Sequence, residues 1–87
     1  MARYDLRFKA SVGKDLRPIP RTDVERILRR IELLRDNPRP PGAEKLSGQE
    51  RYRVRQGTYR ILYSIADTEL IVAVVKVGHR RDVYRDS

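Results

Sequence analysis

The fold is indicated most clearly by residues 51–65, which read RYRVRQGTYRILYSI. Polar and apolar side chains alternate from Arg51 to Arg55 and again from Thr58 to Ile65, a pattern typical of half-buried strands. Gln56 and Gly57 lie between the two segments and predict a two-residue hairpin turn. The stretch therefore predicts an antiparallel β-hairpin with one apolar and one basic face.

The basic face of this hairpin is its most informative feature. A turn at residues 56–57 places Arg53 opposite Arg60, and because opposed and alternate side chains share a face, Arg55 joins them. No acid lies between Arg51 and Tyr63, although like charges directly opposite each other destabilise a sheet. Two interpretations remain open: a solvated basic face, or a phosphate site in which arginine forks hold an anion.

Two helices are predicted before the hairpin. Residues 3–8 alternate as a first strand, and residues 9–17 favour a short helix that ends before two prolines. Thr22 and Glu25 form the spacing of a capping box and predict the start of a second helix. Its apolar stripe has helical spacing and consists of Val24, Ile27, Leu28, Ile31 and Leu34.

The last strand is predicted over Glu69–Val77, after a turn at residues 66–68. Leu70–Val75 is apolar on both faces, which favours an interior strand. The fold class is therefore α+β. A helical hairpin packs on a small, mostly antiparallel four-stranded sheet in the order β-α-α-β-β-β, and a short polar C-terminal tail begins at Gly78.

The composition bounds the function. The chain has 87 residues, which predicts one small domain over residues 1–87. Twenty Lys and Arg residues against twelve Asp and Glu give a formal charge of +8. This excess favours a polyanionic partner, although it also aids solubility. Cysteine is absent and His79 is the single histidine, so disulfides, thiolate nucleophiles and zinc–sulfur sites are excluded, and we predict no cofactor or metal.

The sequence also bears on location. The longest apolar run, Leu70–Val75, is far too short to cross a bilayer. The N-terminal residues lack the apolar stretch of a signal peptide. We therefore expect no membrane partner and a cytoplasmic location.

The polar C-terminal stretch contains further candidate site residues. His79 suits a general acid or base, because an imidazole can donate or accept a proton, or else a hydrogen-bonded structural role. Tyr84 suits base stacking, or packing over the sheet edge. By contrast, Asp67 and Glu69 lie at a predicted turn and are interpreted as solvated turn residues.

Four motifs in order resemble the RelE toxins of the RelE/ParE superfamily. They are Lys-Leu-Ser-Gly at 45–48, Tyr-Arg-Val-Arg at 52–55, Gly-Thr-Tyr-Arg-Ile-Leu-Tyr at 57–63 and Val-Gly-His-Arg-Arg-Asp-Val-Tyr at 77–84. The order of elements and the length match over nearly the whole chain. The resemblance implies a toxin of a type II toxin–antitoxin system that enters the ribosomal A site and cuts mRNA. The mRNA 2′-hydroxyl is the attacking group, so no metal is required.

The resemblance also implies site residues. It assigns catalytic roles to basic residues of the sheet and to two residues near the C-terminus, namely Arg53, Arg55, Arg60, Arg80 and Tyr84. His79 and Arg81 are implied as acid/base groups or RNA contacts. RNA or ribosome contacts are expected at Lys45, Arg51 and Arg85.

This chain departs from the best-known members, which carry lysines at the positions of Arg53 and Arg55. Arginine does not readily lose its proton, so Tyr84 or His79 would accept the proton, or the reaction would rely on positioning and charge stabilisation. The long C-terminal helix of some members is missing.

The family implies a cognate antitoxin, and the charge of +8 suits an acidic segment that wraps the toxin. Two other functions stay open. One is inhibition of DNA gyrase, as in ParE-like members of the same fold. The other is a non-catalytic module that binds nucleic acid or protein.

Overall fold

The computed structural model describes residues 3–46 and 51–79, which contain two helices and five strands. In chain order the elements are β1 (Asp5–Phe8), α1 (Ser11–Leu16), α2 (Arg21–Leu33), β2 (Glu44–Lys45), β3 (Arg51–Gln56), β4 (Tyr59–Ala66) and β5 (Ile71–His79). The strands form one sheet in the order β1-β5-β4-β3-β2. Only the β1–β5 pair is parallel within this described sheet. The predicted α+β class and the interior position of the last strand are therefore confirmed.

The sheet has five strands where four were predicted. The additional strand is β2, whose two residues pair antiparallel with β3 through Glu44 opposite Arg53 and Lys45 opposite Tyr52. Two residues are too few to show the alternation by which a strand is recognised in sequence. This short edge strand adds an acid beside the basic residues of the hairpin.

The predicted hairpin turn is one residue too early. Gly57 and Thr58 form the turn, because Gly57 adopts a positive φ of 61° at the first central position, which glycine favours. Arg60 therefore lies opposite Arg55, not Arg53, which pairs with Leu62. When a two-residue turn moves by one residue, each residue of the first strand pairs with a residue two positions further along the second strand. Side chains two positions apart share a face, so every side chain stays on its predicted face. The predicted basic face thus survives the error in register.

The capping box at the start of α2 is not formed. The N-cap residue is Pro20, and the helix has no side-chain cap hydrogen bond. The Pro20 carbonyl accepts hydrogen bonds of 3.0 Å from the amides of Asp23 and Val24. Thr22 thus lies inside the first turn, where its hydroxyl cannot serve as the cap.

The core lies between the helices and one face of the sheet. The predicted stripe of α2 buries Ile27, Ile31 and Leu34, whereas Leu28 remains 41 % exposed. From the sheet, the core takes alternate apolar side chains: Tyr52, Val54, Ile61, Tyr63, Ile65, Val72, Val74 and Val77. Burial of this surface is the main force that holds the helical hairpin on the sheet.

The last strand has the predicted length of nine residues but begins and ends two residues later, and its two halves have different neighbours. β1 pairs with Ile71–Val74 only. Beyond β1, the Asp15 side chain of α1 accepts a hydrogen bond of 3.1 Å from the amide of Val77. The strand continues through Gly78 and His79, which were predicted to begin the tail. Across the described ranges, no helix has the length and apolar character needed to span a membrane.

Candidate functional site

Three arginines predicted to lie together share the sheet face opposite the core. Arg53 and Arg55 alternate with the core residue Val54 on β3, and Arg60 precedes the core residue Ile61 on β4. They line one depression of about 290 Å³, together with residues from α2, the following loop and β2. We call it the arginine depression; its lining residues are Arg30, Gly42, Glu44, Arg53, Arg55 and Arg60.

Two of these arginines face each other directly across the hairpin. Arg55 is exposed, whereas Arg60 is only 5 % exposed. Arg55 has no ion pair within residues 3–46 and 51–79. Opposed like charges are unfavourable in a sheet, so the pair concentrates positive charge at the expense of stability. Such a site is electrostatically prepared for an anion.

Glu44 is the acidic residue of this depression, and the sequence did not reveal it. Its Oε2 atom lies 2.6 Å from Nη2 of Arg53, whose side chain is 16 % exposed. The hydrogen bond from Arg53 is the main cause that lowers the pKa of Glu44, and the charges of Arg53, Arg55 and Arg60 lower it further. Glu44 is therefore ionised at neutral pH and reports the positive field of the depression. The negative charge beside the arginines comes from Glu44 on the short edge strand β2, because the segment from Arg51 to Tyr63 contains no acid.

His79 lies on a different part of the surface. It pairs with Tyr59 across β4 and β5, and the two rings meet edge to face with centroids 6.1 Å apart. Because Tyr59 packs against the core, this pair lies on the sheet face opposite the arginines. His79 lines another depression of about 420 Å³, beside Lys14 and Asp15 of α1. The described geometry does not bring His79 together with the arginine depression.

The remaining predicted contacts are more scattered. Arg51 lies opposite Ser64, on the arginine face, but it lines a separate depression with Leu62 and Lys76. Lys45 is exposed on β2 opposite the core residue Tyr52, so its register places it on the other face. The other predicted site residues lie outside the described ranges: Arg80, Arg81, Tyr84 and Arg85.

Asp67 is an exposed turn residue, as predicted, but it also forms hydrogen bonds and an ion pair that the sequence did not reveal. It accepts hydrogen bonds of 3.1 and 2.9 Å from Arg39 and one of 2.8 Å from the Tyr4 hydroxyl. The hydrogen bonds from Arg39 are the main cause that lowers the pKa of Asp67, and the bond from Tyr4 lowers it further. Arg39 also donates to the Tyr52 hydroxyl at 3.0 Å and lies 5.2 Å from the centre of that ring. This clamp fastens the loop that leads to Gly42, and so positions one wall of the arginine depression.

Metal-ligating side chains do not cluster in the part of the chain that the structure describes. No three His, Asp or Glu residues there are arranged to hold a metal ion. The residues that line the arginine depression supply guanidinium groups that recognise anions, with the carboxylate of Glu44 beside them.

Comparison with known proteins identifies the family. The family model described as the ParE toxin of the type II toxin–antitoxin system parDE matches residues 6–84. The chain belongs to the RelE/ParE superfamily of type II toxins. This confirms the resemblance drawn from the four motifs.

Relatives of this RelE/ParE toxin cover nearly its whole length. Toxin RelG of Mycobacterium tuberculosis is 34 % identical over 90 residues, covering 94 % of this chain and 97 % of RelG. The RelE–RelB complex of Pyrococcus horikoshii matches with a TM-score of 0.80 and 28 % identity, over 92 % of this chain and 97 % of that chain. A free mutant of the Escherichia coli toxin RelE matches with a TM-score of 0.77 and 27 % identity, over 98 % and 93 % of the two chains. The RelE-like fold is thereby confirmed.

Proposed function

We propose that this toxin is a ribosome-dependent mRNA endonuclease, and that the arginine depression holds the scissile phosphate. The observation that carries the proposal is the grouping of Arg53, Arg55 and Arg60 on one sheet face. Guanidinium forks bind phosphate oxygens in fixed geometry and can stabilise charge that develops on them. The similarity to RelE-like toxins supports the toxin function.

The reaction needs only the RNA and protein side chains. The 2′-hydroxyl oxygen attacks the adjacent phosphorus, the bond from phosphorus to the 5′-oxygen breaks, and the products carry a 2′,3′-cyclic phosphate and a 5′-hydroxyl. The 2′-hydroxyl loses a proton and the leaving 5′-oxygen gains one. Glu44 is the described carboxylate in the depression, but its lowered pKa makes it a weak proton acceptor. We therefore assign most of the rate to positioning and to charge stabilisation by the arginines.

Residues outside the described ranges complete the proposal. Arg80 is assigned to charge at the leaving 5′-oxygen. Tyr84 is assigned to stacking on a base or orienting the 2′-hydroxyl. Arg81 and Arg85, with Lys45 and Arg51, are proposed as further RNA or ribosome contacts. His79 is assigned to an RNA contact and not to proton transfer at the scissile phosphate, because its register places it away from the arginine face.

A cognate antitoxin with an acidic segment is the proposed partner. Relatives with this fold have been solved as RelB–RelE complexes, including those from Pyrococcus horikoshii and Methanococcus jannaschii. The net charge of +8 suits association with an acidic chain. Co-purification of the toxin with its antitoxin, and loss of toxicity on coexpression, test this partner. An antitoxin that binds without suppressing toxicity contradicts the assignment.

Inhibition of DNA gyrase is the second candidate function, because the matching family model is that of ParE toxins. One experiment separates the two. The purified toxin is added to a translation reaction, and the 5′ ends of the mRNA are mapped. We expect cuts at codon positions only when ribosomes are present. Intact mRNA together with inhibition of gyrase supercoiling would establish the ParE-like function instead.

The catalytic assignment is tested with Arg55→Gln, because Arg55 is exposed and its replacement should leave the fold intact. Removing one charge that stabilises a transition state lowers the rate by roughly 10²–10³-fold. Arg60→Ala is a poorer choice, because Arg60 is only 5 % exposed and removing its side chain would disturb the packing. Arg60→Lys is the variant to use at this position, since it keeps a long cationic side chain. Arg7→Gln is the matched control, an exposed strand arginine opposite Ala73. Equal cleavage by Arg55→Gln and Arg7→Gln would remove Arg55 from the site.

A further inference from the structure

A second basic depression adjoins the first. It measures about 300 Å³ and is lined by Arg26, Arg29, Arg30, Leu33 and Gln56. Arg30 lines both depressions, so the two form one continuous surface from the sheet onto α2. The sequence does not predict this surface, because it depends on how α2 packs near the hairpin and brings Arg30 to both depressions.

The helical repeat explains why these arginines lie together. Positions 26, 29 and 30 are separated by three and four residues and therefore share one side of the helix. The buried residues Ile27 and Ile31 point to the core from the other side. We call Arg26, Arg29 and Arg30 the α2 arginine face.

The acids of α2 do not neutralise this face. Glu25 pairs with Arg21 at 3.7 Å, and Glu32 pairs with Arg3 at 3.1 Å and with Arg35 at 3.2 Å. Asp23, the third acid of α2, forms no ion pair within the described residues. Within residues 3–46 and 51–79, the three arginines of the face have no ion pair. Their charge is therefore available to an external anion.

We infer that the α2 arginine face binds the sugar–phosphate backbone of the same RNA strand whose phosphate occupies the arginine depression. The choice of RNA rests on the proposed function. It is supported by the continuity of the two depressions through Arg30 and by guanidinium groups, which suit phosphate geometry. A partner helix with an apolar face is less well suited to this surface, because Leu33 is the one apolar side chain that lines the second depression. Three additional phosphates are thus neutralised along α2, with Arg30 at the junction between this face and the arginine depression.

The salt dependence of RNA binding measures these contacts. The probe is a single-stranded RNA oligonucleotide fully 2′-O-methylated, so that it cannot be cleaved, and its binding is followed by fluorescence anisotropy from 50 to 200 mM salt. For single strands, the slope of log K against log salt is about −0.7 for each neutralised phosphate. Replacing Arg26, Arg29 and Arg30 together by Gln should make the slope shallower by about 2. The loss of affinity between 50 and 200 mM salt then shrinks by about 20-fold. Arg30→Gln alone should change the slope by about 0.7.

The matched control replaces three exposed cations outside both depressions, Arg7, Lys14 and Arg17, by Gln; none of the three forms an ion pair within residues 3–46 and 51–79. It removes the same net charge and should leave the slope within 0.7 of the wild-type value, less than one phosphate contact. Equal changes in slope for the two triple variants would overturn the inference, as would an unchanged slope for the α2 variant. So would an α2 variant that loses binding to a polyglutamate peptide but keeps its RNA slope, since that result assigns the face to an acidic protein.

The outcome is separable from that of the proposed function. Cleavage of mRNA with an unchanged RNA slope in the α2 variant rejects the inference and leaves the endonuclease intact. A shallower slope without any cleavage of mRNA supports the RNA-binding face and rejects the endonuclease.

Discussion

Removing the charge of Arg55 should make the free toxin more stable while it makes the toxin less active. Arg55 lies directly opposite Arg60 on neighbouring strands, and no ion pair to Arg55 is present in the described part of the chain. Arg55→Gln keeps a polar side chain, although a shorter one, and removes the charge that causes the repulsion. Proteins commonly retain such unfavourable arrangements where a ligand needs them.

The magnitude follows from the spacing of opposed side chains. Two guanidinium charges roughly 6 Å apart repel by about 0.7 kcal/mol in water, and by about 0.4 kcal/mol after screening at 0.1 M salt. Burial of Arg60 strengthens the repulsion, whereas the attraction between Arg55 and Glu44 offsets part of it. We expect a net gain of about 0.5 kcal/mol, which raises Tm by about 2–4 °C in a domain of this size.

Thermal unfolding of the isolated toxin measures this gain. Arg55→Gln and the control Arg7→Gln are compared at 10 mM and 500 mM salt. The advantage of Arg55→Gln should be largest at low salt and should nearly vanish at high salt, because the repulsion is screened. The reasoning is refuted if Arg55→Gln has the same Tm as Arg7→Gln, or a lower one, at low salt. An advantage independent of salt would instead indicate a change in packing or strand propensity.

Two further predictions concern the contacts of Pro38 and Arg39, in the loop between α2 and β2. Tyr63→Phe removes the 2.6 Å hydrogen bond that the hydroxyl donates to the buried carbonyl of Pro38, so the free energy of unfolding in urea should fall by about 1–3 kcal/mol; an unchanged value would show that the carbonyl finds another partner. The lowered pKa of Asp67 implies stability that is fully present above its unfolded pKa of about 3.9 and is lost as the pH falls through the folded pKa. Asp67→Asn should therefore reduce stability at pH 7 and flatten the loss of stability below about pH 4, as followed by circular dichroism; a parallel pH profile would contradict the clamp with Arg39.

The elements with a strong period were predictable from the sequence. The alternation in residues 51–65 identified the hairpin and both of its faces, and the stripe containing Ile27, Ile31 and Leu34 identified the buried side of α2. Periodicity specifies which side chains are buried, because one face must meet the core. The boundaries of the elements were less predictable. The N-cap of α2 is Pro20 and not Thr22, and the hairpin turn lies at Gly57 and Thr58, one residue later than predicted.

The candidate site was predictable only where its residues share a strand or a hairpin. The sequence grouped Arg53, Arg55 and Arg60 correctly, because side chains alternate between the two faces along a strand and odd or even spacing alone decides the face. Glu44 was missed because it reaches the site through a two-residue strand. The role of Asp67 depends on Arg39, which lies 28 residues away in the chain, and no local pattern encodes such a contact. The contribution of Arg30 likewise depends on how α2 packs near the hairpin.

The stability and the function of the arginine depression are therefore opposed. Arg55 and Arg60 repel each other, while the single carboxylate that lies beside them in the described structure, Glu44, bonds to Arg53. A second carboxylate at this point would relieve the repulsion, but it would also compete with an RNA phosphate for the same guanidinium groups. The edge strand thus supplies enough negative charge to hold Arg53 in place and leaves Arg55 to the ligand. An anion that binds the depression should stabilise the toxin by mass action, and the stabilisation should be largest at low salt, where the repulsion is strongest.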